Sequence, residues 1–192
     1  MARLNLDWNA ALFPSTRHML LVDLEATTSG DNPAPGDLVI TDDSCEIIEI
    51  GLVVLDLEGD QAEPTTKFSS VVRPVLNPTL TEFCTKYTCI SQAEVDGAPS
   101  YPEASAALTE FVTQLDTLPG GWSWGSWGAS DLELLKRNMA RNGCANQLLA
   151  RPVFRPQGDL PGHARRERRN GADEGAGAAG RSRSGQGPSR VW

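Results

Sequence analysis

The run His18-Met19-Leu20-Leu21-Val22, ending in Asp23-Leu24-Glu25, restricts the fold more than any other feature of the chain. A short continuous apolar run of this kind reads as a buried strand. Residues two apart on a strand point to the same side, so Asp23 and Glu25 can converge on one cation. Two carboxylates at a strand end suit a hard divalent metal such as Mg²⁺. Taken alone, an Asp-x-Glu at a strand end is more often a solvated turn. Here the pair closes a run that should be wholly buried, and carboxylates at its mouth are costly unless a metal or partner compensates.

The next segments continue in strands. Residues 29–44 are dominated by Gly, Pro, Asn and Asp and predict a surface loop. Cys45 to Asp56 is rich in β-branched residues and predicts a second strand, and Gly59-Asp60 turns the chain into a third near Lys67–Arg73. Helical signals follow. Asn77-Pro78 and Thr81-x-x-x-Thr85 open short helical pieces, and Ser91-x-x-Glu94 is a capping-box pattern. Pro102 precedes Ala104, Ala107, Leu108, Phe111, Val112 and Leu115 at amphipathic-helix spacing, and Pro119-Gly120-Gly121 ends that helix. Trp122 to Trp127 predicts a short aromatic strand, and Ser130-Asp131 opens a helix running to Gly143. The order βββ-α-β-α predicts an α/β fold with an RNase H-like mixed sheet. A three-stranded meander is extended by further strands and flanked by helices, and the C-terminal part is incomplete.

Three segments are expected: a lead-in over 1–17, a globular domain over 18–157, and a disordered Gly/Ala/Arg-rich tail over 158–192. The tail has almost no Leu, Ile, Val or Phe and cannot offset its ordering entropy. The formal net charge of −8 argues against a broad basic nucleic-acid face. It is compatible with gripping a single phosphate through bound cations. Seven Arg against four acids in 159–192 concentrate the negative excess in the rest of the chain. Cys45, Cys84, Cys89 and Cys144 lack C-x-x-C spacing and are read as free buried thiols. The first residues lack an apolar signal region, and no stretch is long enough to span a membrane, so a cytoplasmic location without membrane association is expected.

A resemblance spans roughly residues 18–145. Asp23-Leu24-Glu25-Ala26-Thr27, Glu46-Ile47-Ile48-Glu49-Ile50-Gly51 and Val72-Arg73-Pro74-Val75-x-Asn77-Pro78 are similar to the first half of the DEDDh 3′→5′ exonucleases. Leu80-Thr81-x-Phe83-Cys84-Thr85 and Thr88-x-Ile90-Ser91-Gln92-Ala93-x-Val95-Asp96 continue the match. The branch resembled is the one that trims the 3′ ends of histone messenger RNA and small RNAs. Ser126-Trp127-Gly128-Ala129-Ser130-Asp131 resembles its second motif. The resemblance implies that Asp23, Glu25 and Asp131 are catalytic acids holding two divalent ions, Mg²⁺ or Mn²⁺, against the scissile phosphate. It also implies that Glu25 and the Ala26 backbone border the terminal nucleotide. The implied partners are 3′ ends of RNA or single-stranded DNA, hydrolysed to nucleoside 5′-monophosphates. Bland readings stand beside these. Asp131 suits any helix N-terminus, Trp122, Trp124 and Trp127 suit core packing as well as base stacking, and Arg73 suits an exposed strand end.

The resemblance stops before the third motif, where relatives carry a His followed five positions later by an Asp. His163 is the only histidine after the second motif, and Arg168 stands five positions on. A solvated loop histidine is its ordinary reading. Cys89 stands where relatives usually carry Gly, and Thr28 where they usually carry Cys. Codons for Asp173 to Ala179, shifted by one nucleotide, can encode Met-Arg-Ala-Leu-x-Leu-Leu, so a frameshift after about Phe154 is one expected cause. An impaired exonuclease is the favoured reading. A noncatalytic nucleic-acid-binding module that uses the Arg-rich tail, or a nonfunctional gene fragment, is the alternative.

Overall fold

The computed structural model describes residues 16–30, 33, 36, 38–58, 62–126, 129–151 and 153–154. Trp127, His163, the lead-in before Thr16 and the 158–192 tail lie outside the described residues. A five-stranded mixed sheet runs in the order β3-β2-β1-β4-β5. Its strands are β1 (His18–Ala26), β2 (Ile47–Asp56), β3 (Glu63–Val71), β4 (Trp122–Ser126) and β5 (Val153–Phe154). The first three pair antiparallel as the expected meander, whereas β4 joins β1 in parallel and β5 joins β4 in parallel. A parallel neighbour needs a crossover. The chain makes it through α1 (Glu82–Thr88), α2 (Gln92–Asp96) and α3 (Tyr101–Leu115), and α4 (Ala129–Asn142) follows β4.

One face of the sheet carries the main core. Register pairs Leu20 with Val54 and Trp124, Val22 with Leu52, and Leu24 with Ile50, so these side chains share a face. Tyr101, Ala104, Leu108, Val112 and Leu115 of α3 repeat at helical spacing and pack against them, joined by Leu132 and Leu135 of α4. Trp122 and Trp124 are 2% and 1% exposed, so core packing rather than base stacking is their role. Asp116 accepts a hydrogen bond from the Trp122 indole N–H at 2.8 Å, and the Arg151 guanidinium lies 4.6 Å from the ring centroid.

The β1–β2 register shifts between Glu25 and Ala26, leaving Ile48 without a direct partner. This bulge sends Ile47 into the main core and Ile48 into a second cluster with Leu80, Cys84, Ile90 and Val95. That cluster seats α1 and α2 beside the end of β1. Thr81 caps α1, and reciprocal capping boxes open α2 (Ser91 with Glu94) and α3 (Ser100 with Glu103).

Three local expectations are corrected. The third strand begins at Glu63 rather than near Lys67 and ends at Val71 rather than Arg73. Asn77-Pro78 opens no helix, because the backbone N–H groups of Val75, Leu76 and Asn77 all donate to the Glu46 carboxylate at 2.8 Å. None of the four cysteines is in a disulfide, but only Cys84 is fully buried, and Cys89 is exposed.

Cys89 closes α1 in the left-handed region, with φ at 60°. A β-carbon is strained there and glycine is not. Cys89→Gly should therefore raise the urea midpoint, by up to about 1 kcal/mol in unfolding free energy. A lower midpoint would show that the cysteine side chain contributes more than its backbone strain removes.

Candidate active site

The end of β1 and the start of α4 are brought together by the parallel pairing. Val22 is in register with Ser126, the last residue of β4, so the chain re-emerges beside Asp23 and enters α4 within a few residues. Asp131 lies in the first turn of α4 and is half-buried. The helix is tied to the rest of the site through its far end. Asn138, buried, accepts a hydrogen bond from Ile47 N–H at 3.1 Å, and Arg141 donates to the Cys45 carbonyl at 2.9 Å.

Electrostatics show that two of the sequence-predicted acids are neighbours. The Asp131 carboxyl is pushed up to about 6, chiefly by burial and next by the negative charge of Asp23. A hydrogen bond from the Ser126 hydroxyl pulls the other way. The helix N-terminus also favours the anion, yet burial and the like charge win.

Glu25 shares the Asp23 side of β1 and is half-buried. It lines a cavity of about 470 Å³ together with Ala26, Thr27 and Thr28. Phe83 and Tyr87 of α1 form one wall, and Ile40, Thr41, Asp42 and Cys45 of the β1–β2 connection form another. The two rings stack with centroids 5.6 Å apart and remain 46% and 58% exposed. Both residues proposed from the sequence to border a nucleotide, Glu25 and Ala26, therefore face one concavity beside the Asp23–Asp131 pair. Phe83 lies in a segment that carries the family resemblance but had no role assigned to it, and nothing in the local pattern marks Tyr87, Thr41 or Asp42.

Glu49 was also missed as a site neighbour. It is the cross-strand partner of Glu25, is buried, and accepts a hydrogen bond from the Ser69 hydroxyl at 3.2 Å. Arg73 is exposed and bridges to Ser100 through its backbone.

No three His, Cys, Asp or Glu side chains among the described residues are grouped so as to hold a metal ion. The donor chemistry nevertheless fits a hard cation. Asp23 and Asp131 supply carboxylate oxygens, and the negative charge of Asp23 that raises the Asp131 carboxyl is one a divalent ion would relieve.

Comparison with known proteins then places the chain. A family model of exonucleases, RNase_T, matches residues 20–120. The chain belongs to this exonuclease family. It is 32% identical over 106 residues to the 3′-5′ exonuclease crn-4 of Caenorhabditis elegans, covering 55% of this chain and 33% of the relative. It is 36% identical over 104 residues to ERI1 exoribonuclease 3 of Homo sapiens, covering 53% of this chain and 28% of that protein. The chain thus spans about a third or less of the length of these relatives. Among solved structures, the nuclease domain of 3′hExo, a DEDDh family member bound to rAMP, superposes with a TM-score of 0.57 at 25% identity. That match covers 68% of this exonuclease-family chain and 62% of the other, and the sheet is accordingly RNase H-like. Cell-death related nuclease 4 gives a TM-score of 0.58 at 25% identity, covering 67% and 41% of the two chains.

The raised Asp131 carboxyl sets a pH dependence of stability. The folded state binds its proton up to about pH 6, whereas an unfolded carboxyl releases it near 3.8. Stability from this group is therefore full below about pH 4 and lost as the pH rises through 6. Without divalent cations, Asp131→Asn should stabilise the protein at pH 7.5 by on the order of 1 kcal/mol. Urea unfolding at pH 4 should show that gain gone. A gain of the same size at both pH values would contradict the raised Asp131 carboxyl.

Proposed function

We propose that this chain is a 3′→5′ exonuclease domain acting on RNA or single-stranded DNA and releasing nucleoside 5′-monophosphates. The observation that carries the reading is the Asp23–Asp131 pair set beside the cavity that Glu25 and Ala26 line. A relative crystallised with rAMP and relatives named as 3′-5′ exonucleases support a nucleotide as the occupant.

In this reading the Asp23–Asp131 pair would hold two divalent ions, Mg²⁺ or Mn²⁺, with Glu25 on the same side of β1 as a further ligand. Bound there, such ions would supply Lewis-acid polarisation of the phosphate and activation of water. The chain's own residues orient the substrate. The backbone at Ala26 and the side chain of Glu25 meet the terminal nucleotide, and the cavity takes its base. The Phe83 and Tyr87 rings offer that base a flat apolar wall. No Lys, Arg or His is among the described residues lining the cavity, so the phosphate would lie toward the ions that the acid pair would hold.

The third motif of relatives, a His with an Asp five positions on, has no counterpart in the sequence, since His163 is followed at that spacing by Arg168. Activity is therefore proposed to be weak, by about 10²–10⁴-fold for loss of a general base.

The test is release of mononucleotides from 3′-labelled RNA with Mg²⁺. Slow shortening is expected, abolished by a chelator and reduced a further ~10²-fold or more by Asp23→Ala or Asp131→Ala. Shortening that survives both substitutions would refute the assignment of the acid pair.

A further inference from the structure

The cavity beside the acid pair has a polarity that the exonuclease reading does not require. The two charged residues among its described lining, Glu25 and Asp42, are both acids. Asp42 sits on the β1–β2 connection, where the chain is ordered by local hydrogen bonds. Ile40 N–H donates to the Ser29 hydroxyl at 3.0 Å, and Thr41 N–H donates to the Ser44 hydroxyl at 2.9 Å. The carboxylate is further placed by Arg137 of α4, whose Nη1 lies 3.5 Å from Asp42 Oδ2. Among the described residues that contact engages one oxygen only, and the Asp42 side chain is 90% exposed. The Thr27 hydroxyl already accepts from Glu46 N–H, and the Thr28 hydroxyl from Gly30 N–H.

An ionised carboxylate only accepts hydrogen bonds. Cytosine and adenine present an exocyclic amine that donates two, whereas uracil and thymine present a carbonyl oxygen at the equivalent edge. A carboxylate facing that carbonyl repels it. Resting on the nucleotide-binding reading of this cavity, we infer that Asp42 makes the pocket select a 3′-terminal base bearing an exocyclic amine over one bearing a carbonyl there. Cytosine and uracil are nearly isosteric, so the contrast between them isolates this contact from stacking on Phe83 and Tyr87. The connection carrying Asp42 is remote from the acid pair in sequence, so base preference can change without touching Asp23 or Asp131.

The experiment titrates the full chain, with Mg²⁺ present, with CMP and with UMP, following binding by NMR chemical shift. CMP should bind about three- to tenfold more tightly. Asp42→Asn, on an exposed loop, should bring the ratio near one, because an amide can donate to the uracil carbonyl as well as accept. Asp43→Asn, the neighbouring acid that does not line the cavity, should leave the ratio as it was. Equal affinities in the unaltered chain, an unchanged ratio in Asp42→Asn, or the same change in Asp43→Asn would each overturn the inference. Should neither nucleotide bind, the inference falls together with the pocket assignment. Shortening of 3′-labelled RNA by the same preparation then shows whether the exonuclease reading survives without it.

Discussion

Parallel pairing of β1 with β4 is the constraint on which the site depends. The two strands are far apart in sequence and meet only because the α1–α3 crossover returns the chain alongside β1. Their register is held by side-chain burial. Trp122 and Trp124 alternate into the core beside His18 and Leu20, and a slip of one residue would turn both indoles to the opposite face. Such a slip would cost several kcal/mol in buried aromatic surface. With the register fixed, Ser126 stands opposite Val22, α4 begins beside the end of β1, and Asp131 meets Asp23. The hydrogen bond from Ile47 N–H to Asn138 and those from Arg141 to the Cys45 and Asp43 carbonyls then hold α4 against the start of β2.

Much of this was legible in the chain, for reasons that differ from element to element. β1 and α3 are readable because burial on one side imposes a pattern that needs no knowledge of the rest of the fold. The capping box at Ser91 is local chemistry and sits within three residues of its partner, whereas the one at Ser100 was not read. The third strand was placed too late because Glu63 to Lys67 is exposed and polar, so no apolar signal marks its beginning. Pro64 is tolerated there because β3 is an edge strand. Asn77-Pro78 misled for the opposite reason. Its local pattern suits a helix start, but Glu46, distant in sequence, captures three successive backbone N–H groups and fixes a different path.

The candidate site divides along the same line. Asp23, Glu25 and Asp131 were found through motifs, and the structure places Asp23 near Asp131 while turning Glu25 and Ala26 to the cavity. Phe83, Tyr87, Thr41 and Asp42 reach that cavity from two other segments, and apart from Phe83, which stands in a motif of the resemblance, no local pattern marks them. The bulge at Ile48 is part of the reason. By sending Ile48 into the second cluster it draws α1 close enough for its exposed rings to overlook Glu25. An acidic chain can serve a polyanionic substrate only if cations intervene, and the acids gathered here leave that role to be filled.

Whether Asp23 and Asp131 share one site is decided by titrating the Asp131 carboxyl carbon by NMR. Without divalent cations a midpoint of about 6 is expected in the unaltered chain and a lower one in Asp23→Asn. A midpoint near the ordinary 3.8, or one that Asp23→Asn leaves in place, would contradict a shared site.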